Sequence, residues 1–210
     1  MADLRTVAVT GATGFVGRAV VRALVAAGYH VRALARDAAK AAAVLPADRR
    51  VAIVPGTALD GRGPADLLRG AQACVHLIGI IREARGGQTF QAVHVEATRA
   101  MVEACRQGGV DRFVHMSALG VRPDSPAPYA RTKFEGERLV RRSGLSWTVF
   151  RPGLIHGPDG EFVGMVRQWC RGKAPPYLFI PYFTRRTEHD EGAALGRVTF
   201  DPALVAPVYV

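Results

Sequence analysis

Three glycines spaced three apart close the first apolar run of this chain: Thr6–Thr10 (Thr-Val-Ala-Val-Thr) leads directly into Gly11-Ala12-Thr13-Gly14-Phe15-Val16-Gly17. A short β-branched run of this kind reads as a buried strand. Phe15, Val16, Ala19, Val20, Ala23, Leu24 and Ala27 then recur at helical spacing, and Gly28 stops the helix. A strand joined to a helix by so tight a glycine turn leaves few folds open. Gly11 permits the turn, Gly14 removes a Cβ from the helix entrance, and Gly17 lets the helix press against the sheet. The free N–H groups of that helix start, at the positive end of its dipole, favour a bound anion.

The same alternation continues along the chain. His30–Ala35 reads as a second strand, followed by an alanine-rich helix from Asp37 to Leu45, a third strand at Val51–Val54 and a short helix at Pro64–Arg69. Ala73–Ile78 is the fourth strand. Val93, Ala97, Ala100, Met101 and Ala104 mark the next helix, which Gly108-Gly109 ends. Arg112–Met116 and Trp147–Arg151 are the fifth and sixth strands, with a helix over Pro128–Arg142 between them. Strands alternating with helices require parallel crossovers and a sheet covered on both faces. The expected fold is α/β: a doubly wound parallel Rossmann sheet. It occupies residues 1–172, and residues 173–210 form a partial C-terminal segment without clear period.

Composition removes other classes. At 49% hydrophobic and 22% charged residues the chain is ordinary globular material, neither disordered nor fibrous. Its apolar stretches are too short for a bilayer, which takes ~20 residues. The start Met-Ala-Asp-Leu-Arg lacks the pattern of a secretion signal. Cys74, Cys105 and Cys170 give neither a metal pattern nor a disulfide framework, so no metal site is expected and the setting is cytoplasmic. The net charge of +10 suggests nucleic acid, but Lys40, Lys133 and Lys173 are the only lysines and the arginines run along the whole chain. That distribution reads as solvated surface charge, and no nucleic-acid partner is expected.

A glycine triplet after a strand, opening a helix within a strand-helix-strand unit, is the context of dinucleotide binding. A mononucleotide loop is excluded because no Gly-Lys-Ser/Thr follows. The end of the second strand, where an acidic residue would bond both ribose hydroxyls, carries Ala35-Arg36. A guanidinium there pairs with a 2′-phosphate, with Lys40 one turn on as a helper. NADP(H) is therefore expected over NAD(H), which the same loop also admits.

Tyr129 and Lys133 lie four apart on the helix after the fifth strand, so phenol and ammonium share a face. Ser117 closes that strand, at the edge where doubly wound sheets place ligands. A hydride moving to or from a carbon that bears oxygen needs a proton delivered to or taken from that oxygen. A phenol acting as base near neutrality must be lowered by ~3 pKa units, ~4 kcal/mol. One positive charge at ~4 Å supplies about that much at an effective dielectric of ~20.

These residues resemble the short-chain dehydrogenase/reductase superfamily in its extended and atypical branches. They are similar above all to proteins like the nucleotide-binding accessory subunit of respiratory complex I. The resemblance spans Thr6 to Pro158. It rests on Gly11–Gly17, His76-Leu77-Ile78-Gly79-Ile80, Val110–Ser117, Tyr129–Lys133 and Arg151-Pro152-Gly153-Leu154-Ile155-His156-Gly157-Pro158. It implies that Ser117 orients a substrate oxygen, Tyr129 acts as acid and base, and Lys133 holds the nicotinamide ribose. Cofactor contacts are implied for Gly11, Thr13, Gly14, Phe15, Val16 and Gly17, for Arg36, and for Leu77, Ile78 and Gly79. Met116 and Pro152, Gly153, Leu154 and Ile155 complete that set.

Three departures stand out. Thr57-Ala58 follow Gly56 where the family usually has an Asp facing the adenine, and His94 stands where active extended members often carry Asn. The family continues from a Pro-Val-Tyr-Val-like segment into helices that complete a substrate lobe, whereas this sequence ends at Pro207-Val208-Tyr209-Val210. The apolar groups Tyr177–Ile180 and Val205–Val210 then predict contacts between copies, or disorder. Two functions compete: an oxidoreductase or epimerase acting on a small carbonyl or alcohol substrate, and a non-catalytic NAD(P)H-binding subunit or sensor. A homodimer or association with a membrane complex is expected among the partners.

Overall fold

A computed structural model describes residues 5–157, 160, 164, 167, 168 and 171, together with the backbone of residues 184–188, 198–202 and 208–209. The chain divides into two compact units, Met1–Pro152 and Gly153–Val210.

In the first unit the β-branched runs form six parallel strands: β1 (Thr6–Thr10), β2 (His30–Ala35), β3 (Val51–Pro55), β4 (Ala73–His76), β5 (Arg112–Met116) and β6 (Ser146–Phe150). Their order is β3-β2-β1-β4-β5-β6, which is the doubly wound arrangement the sequence predicts. The chain winds outward from β1 to β3 and then restarts beside β1 with β4. Only at that reversal do the connections leave the sheet in opposite directions, which opens a crevice at the carboxyl ends of β1 and β4.

Both faces are covered, as parallel strands require. On one face α1 (Phe15–Ala26) and α2 (Ala38–Val44) bury Val21, Val25 and Ala41 against Val7, Val9, Val31 and Ala33. On the other, α3 (Gly63–Leu68), α4 (Ala97–Gln107) and α5 (Pro128–Arg141) set Leu67, Met101, Cys105 and Val140 against Ala8, Cys74 and Phe113.

One departure from the predicted elements concerns the site. The helix expected from Val93 onward opens as a π-helical stretch, Gln91–Glu96, that runs directly into α4. Such widened turns concentrate at functional positions, and this one carries His94.

In the second unit β7 (Ile155–His156) pairs in parallel with β10 (Val208–Tyr209), and β8 (Thr184–Glu188) pairs antiparallel with β9 (Val198–Pro202). The sequence shows no period there. The boundary expected at Gly172 and the apolar group Tyr177–Ile180 lie outside the described residues. Among the described residues no helix is long and apolar enough to cross a membrane.

Candidate functional site

The crevice at the strand reversal is a cleft of about 450 Å³. Its floor is backbone. Gly11 has φ +70°, and a Cβ there would stand 2.9 Å from the Leu77 carbonyl carbon and 3.1 Å from Ile78 N. Only glycine meets both conditions. At Gly17 a Cβ would overlap the Gly11 carbonyl, so the loop and α1 touch through bare backbone. Gly14 caps α1 without a side-chain hydrogen bond and with no acidic residue in the first turn. The helix thus presents unsatisfied N–H groups and an uncompensated positive end towards the cleft, which suits a diphosphate.

Thr13, Arg36, Thr57, Ala58, Leu77, Ile78 and Gly79 line the same cleft as Gly11 and Gly14. Phe15, Val16 and Gly17 continue into α1 behind it. Sequence reasoning missed Leu34, Ala35, Leu59, Val93, Ala97 and the tip Gly86-Gly87-Gln88, which line it too. That tip belongs to a narrow turn in which Ala84 N–H donates to the Gln88 carbonyl at 3.0 Å, with positive φ at both glycines. The unexplained Gly-Gly pair was its one sequence signal.

Arg36 is exposed at the end of β2. The neighbouring Asp37 caps α2, its carboxylate accepting Lys40 N–H at 2.9 Å. Where the family's Asp is missing, Asp60 organises the loop instead, accepting Thr57 N–H at 2.6 Å and Gly63 N–H at 2.5 Å. Those backbone donors hold its carboxyl below the usual range.

The other side of the site is built from buried side chains. Lys133, on α5, donates from Nζ to the Met116 carbonyl at 2.5 Å. A Cβ at Gly79 would lie 3.6 Å from that Nζ and 3.9 Å from His94 Nε2, so ammonium and imidazole both face the cleft floor. Burial pushes Lys133 down to about 8, with Glu137 one turn on acting in the opposite direction. Glu137 is fully buried. Its carboxylate accepts Arg151 Nε and Nη2 at 2.8 Å each and Arg141 Nε at 2.7 Å. These hydrogen bonds outweigh desolvation and hold it down at about 2. Ser117 is buried; its Oγ makes no hydrogen bond of ordinary geometry, but it helps to hold the Glu137 carboxyl down.

Tyr129 meets His94 edge-on at 5.4 Å between ring centroids and Phe90 at 5.8 Å. Burial raises its phenol. Desolvation alone accounts for this, in the direction opposite to the lowering expected from Lys133. His94 bonds on both ring nitrogens, Nδ1 to Thr132 Oγ1 at 3.0 Å and Nε2 to Ile80 N–H at 3.2 Å and Ile80 O at 3.1 Å. Burial and the charge of Lys133 push it down to about 4. Behind it His76 joins Thr10 Oγ1 at 2.8 Å to Thr98 Oγ1 at 3.1 Å, and burial takes it to about 3. His115 stacks on His76 at 5.6 Å, and both of its ring nitrogens lack a hydrogen-bond partner. Burial drives it well below its ordinary value. All three imidazoles are neutral at pH 7.

Of the remaining predicted contacts, Pro152 closes the first unit, where its carbonyl accepts Leu119 N–H at 2.8 Å. Gly153, Leu154 and Ile155 open the second.

A crevice at a strand reversal, floored by glycine backbone and fed by a bare helix N-terminus, is built to take a dinucleotide. Residues 11–168 match the profile of the NAD(P)H-binding family. The chain belongs to that family. This NAD(P)H-binding protein is an extended or atypical member of the short-chain dehydrogenase/reductase superfamily, as its motifs imply. It is 38% identical to the ceramide reductase of Caulobacter vibrioides, a match covering 82% of this chain and 53% of the relative. It is 25% identical to NADH dehydrogenase (ubiquinone) 1 alpha subcomplex subunit 9 of Dictyostelium discoideum, over 85% of this chain and 49% of the relative. The chain therefore spans about half the length of these curated relatives. The fold is that of UDP-glucuronic acid 4-epimerase from Bacillus cereus, solved with NAD: TM-score 0.66 at 23% identity, covering 80% of this chain and 64% of that one. The cofactor of this NAD(P)H-binding protein is a nicotinamide dinucleotide.

Proposed function

We propose that the protein is an NADP(H)-dependent oxidoreductase, of reductase or epimerase type, acting on a carbonyl or alcohol carbon. The observation that carries this reading is the Lys133 ammonium on the cleft floor at Gly79, with Tyr129 one turn before it on α5. The bound dinucleotide supplies or accepts the hydride at the substrate carbon. Every other task falls to the chain. Gly11, Thr13, Gly14 and the first turn of α1 with Phe15, Val16 and Gly17 hold the diphosphate. Arg36, helped by Lys40, pairs with a 2′-phosphate and so selects NADP(H) over NAD(H). Thr57, Ala58, Leu77, Ile78 and Gly79 line the adenine and ribose path. Met116 and Pro152 complete it. Lys133 turns from the Met116 carbonyl to the ribose hydroxyls. Ser117 Oγ, with no strong bond to give up, orients the substrate oxygen. Tyr129 donates its proton to that oxygen in reduction and recovers it in oxidation. The raised phenol suits the acid role, since it stays protonated at neutral pH.

A second reading is favoured by the similarity to the Dictyostelium subunit: a non-catalytic NAD(P)H-binding subunit. One experiment separates them. NADPH oxidation is followed with a panel of apolar ketones and aldehydes, for the unmutated protein and for Tyr129→Phe. The enzyme reading expects turnover that Tyr129→Phe abolishes while NADPH affinity stays within about threefold. Turnover undiminished in Tyr129→Phe, or NADPH binding with no turnover across the panel, decides for the binding subunit.

A further inference from the structure

The π-helical stretch and the catalytic turn of α5 meet at one residue that neither function has yet used. His94 is almost fully buried and bonds both the cleft floor and α5. Its Nε2 meets the backbone of Ile80, whose neighbours Leu77, Ile78 and Gly79 line the cleft. Its Nδ1 meets Thr132, between Tyr129 and Lys133 in sequence. Thr132 Oγ1 lies 2.9 Å from the Pro128 carbonyl and donates to it, so its lone pair accepts His94 Nδ1–H. Nε2 is then free to accept Ile80 N–H, and one neutral tautomer serves both Thr132 and the Ile80 amide. The ring is also fixed in plane, stacked on Phe90 at 5.4 Å and met edge-on by Tyr129.

We infer that His94 is a positioning residue: it sets the Ile78–Ile80 loop at a fixed height over the Lys133 ammonium, and so couples the shape of the cofactor cleft to the catalytic face of α5. The physical reason lies in the loop itself. Gly79 and Ile80 follow the last residue of β4 and have no strand partner, so the Ile80 backbone would otherwise depend on solvent. A ring nitrogen that accepts the Ile80 N–H replaces that part of the missing ladder. A Cβ on Gly79 would stand in contact with both Lys133 Nζ and His94 Nε2, so the two groups converge on this glycine. A loop released by even one ångström would change the cleft floor and the space before the ammonium together. The inference rests on the functional reading above, because it assigns His94 a task in holding the cleft ready for the dinucleotide.

The test uses three substitutions in the full chain. His94→Gln places an amide where Nε2 stood and can serve Ile80. His94→Asn reaches only the Nδ1 side and can serve Thr132. His94→Phe keeps the ring on Phe90 and serves neither. Three quantities are read for each: NADPH affinity by fluorescence titration, Tm, and hydrogen exchange at the Ile80 amide. The expected result is that His94→Phe and His94→Asn bind NADPH about tenfold more weakly and exchange Ile80 N–H faster. His94→Gln should restore affinity to within about threefold and slow the exchange again, whatever its Tm. A merely structural histidine predicts otherwise: affinity follows Tm through all three variants and His94→Gln is no better than His94→Asn. That outcome, or unchanged affinity in His94→Phe, overturns the inference. Failure of the unmutated protein to bind either dinucleotide overturns the functional reading instead, while Ile80 exchange still reports whether His94 holds the loop.

Discussion

The two sides of the cleft do their work by opposite means. On the β1–α1 side, Gly11, Gly14 and Gly17 act by what they lack, and the groups offered are backbone amides and a helix dipole. On the β5–α5 side, Lys133, Glu137, His76, His94 and His115 are buried side chains whose ionisation is displaced by their surroundings. The first side is therefore insensitive to pH and intolerant of added volume. The second is sensitive to pH and tolerant of volume only where charge stays paired. A dinucleotide site needs a rigid cradle for phosphates that never react, and a tunable environment where a proton moves.

The largest expected effect sharpens the electrostatic half of this contrast. His76, His94 and His115 are neutral in the folded state and titrate lower than the ~6.5 of an unfolded histidine. Between about 6.5 and the folded values the unfolded chain binds more protons, so stability falls as pH falls. Each such histidine contributes about 1.4 kcal/mol per pH unit within its window. Glu137, held at about 2, adds a loss of the same sign below its ordinary 4.5. Denaturant midpoints measured from pH 7 to 4 should drop steeply and cooperatively. A flat profile would break the distinction. His115→Phe should shallow the slope, since it removes one titrating ring that has no hydrogen bond to lose.

Next in size is Arg151→Ala. It strips Glu137 of two hydrogen bonds and leaves the buried carboxylate with Arg141 as its remaining charged hydrogen-bond partner. A cost of about 3 kcal/mol is expected at pH 7, from urea unfolding. The cost should shrink below pH 4, where the lone carboxyl protonates. Gly17→Ala should cost about 2 kcal/mol by forcing α1 away from the Gly11 carbonyl. Its effect should be the same at pH 7 and pH 5, and NADPH affinity should fall with it. Matching pH profiles for these two variants would erase the difference between the two sides.

The smallest effect concerns choice rather than binding itself. Arg36→Ala should weaken NADPH about tenfold and leave NADH nearly unchanged, because one guanidinium–phosphate pair is worth roughly that much. Equal loss for both dinucleotides would assign Arg36 a general electrostatic role.

What the sequence determined by itself is the repeating architecture. Strand and helix alternate because local runs such as Thr6–Thr10 and Val51–Val54 are rich in β-branched residues, and because Gly28 and Gly108-Gly109 end helices where they stand. The glycine cradle was legible for the same reason, since its function depends on residues within seven positions of one another. Sequence also placed Lys133 and Tyr129 on one helical face. Tertiary structure alone decided the rest. Glu137 meets Arg151 across 14 residues, Lys133 meets Met116 across 17, and Thr10 meets His76 across 66. No local pattern encodes such pairs, and a histidine in a strand reads like any other until its neighbours are known. The direction in which Tyr129 titrates shows the limit most sharply. An ammonium four residues away promised a lowered phenol, but burial raises the phenol instead. The ionisation of a buried group depends on how the whole fold surrounds it, and that surrounding is assembled from residues far apart in the chain.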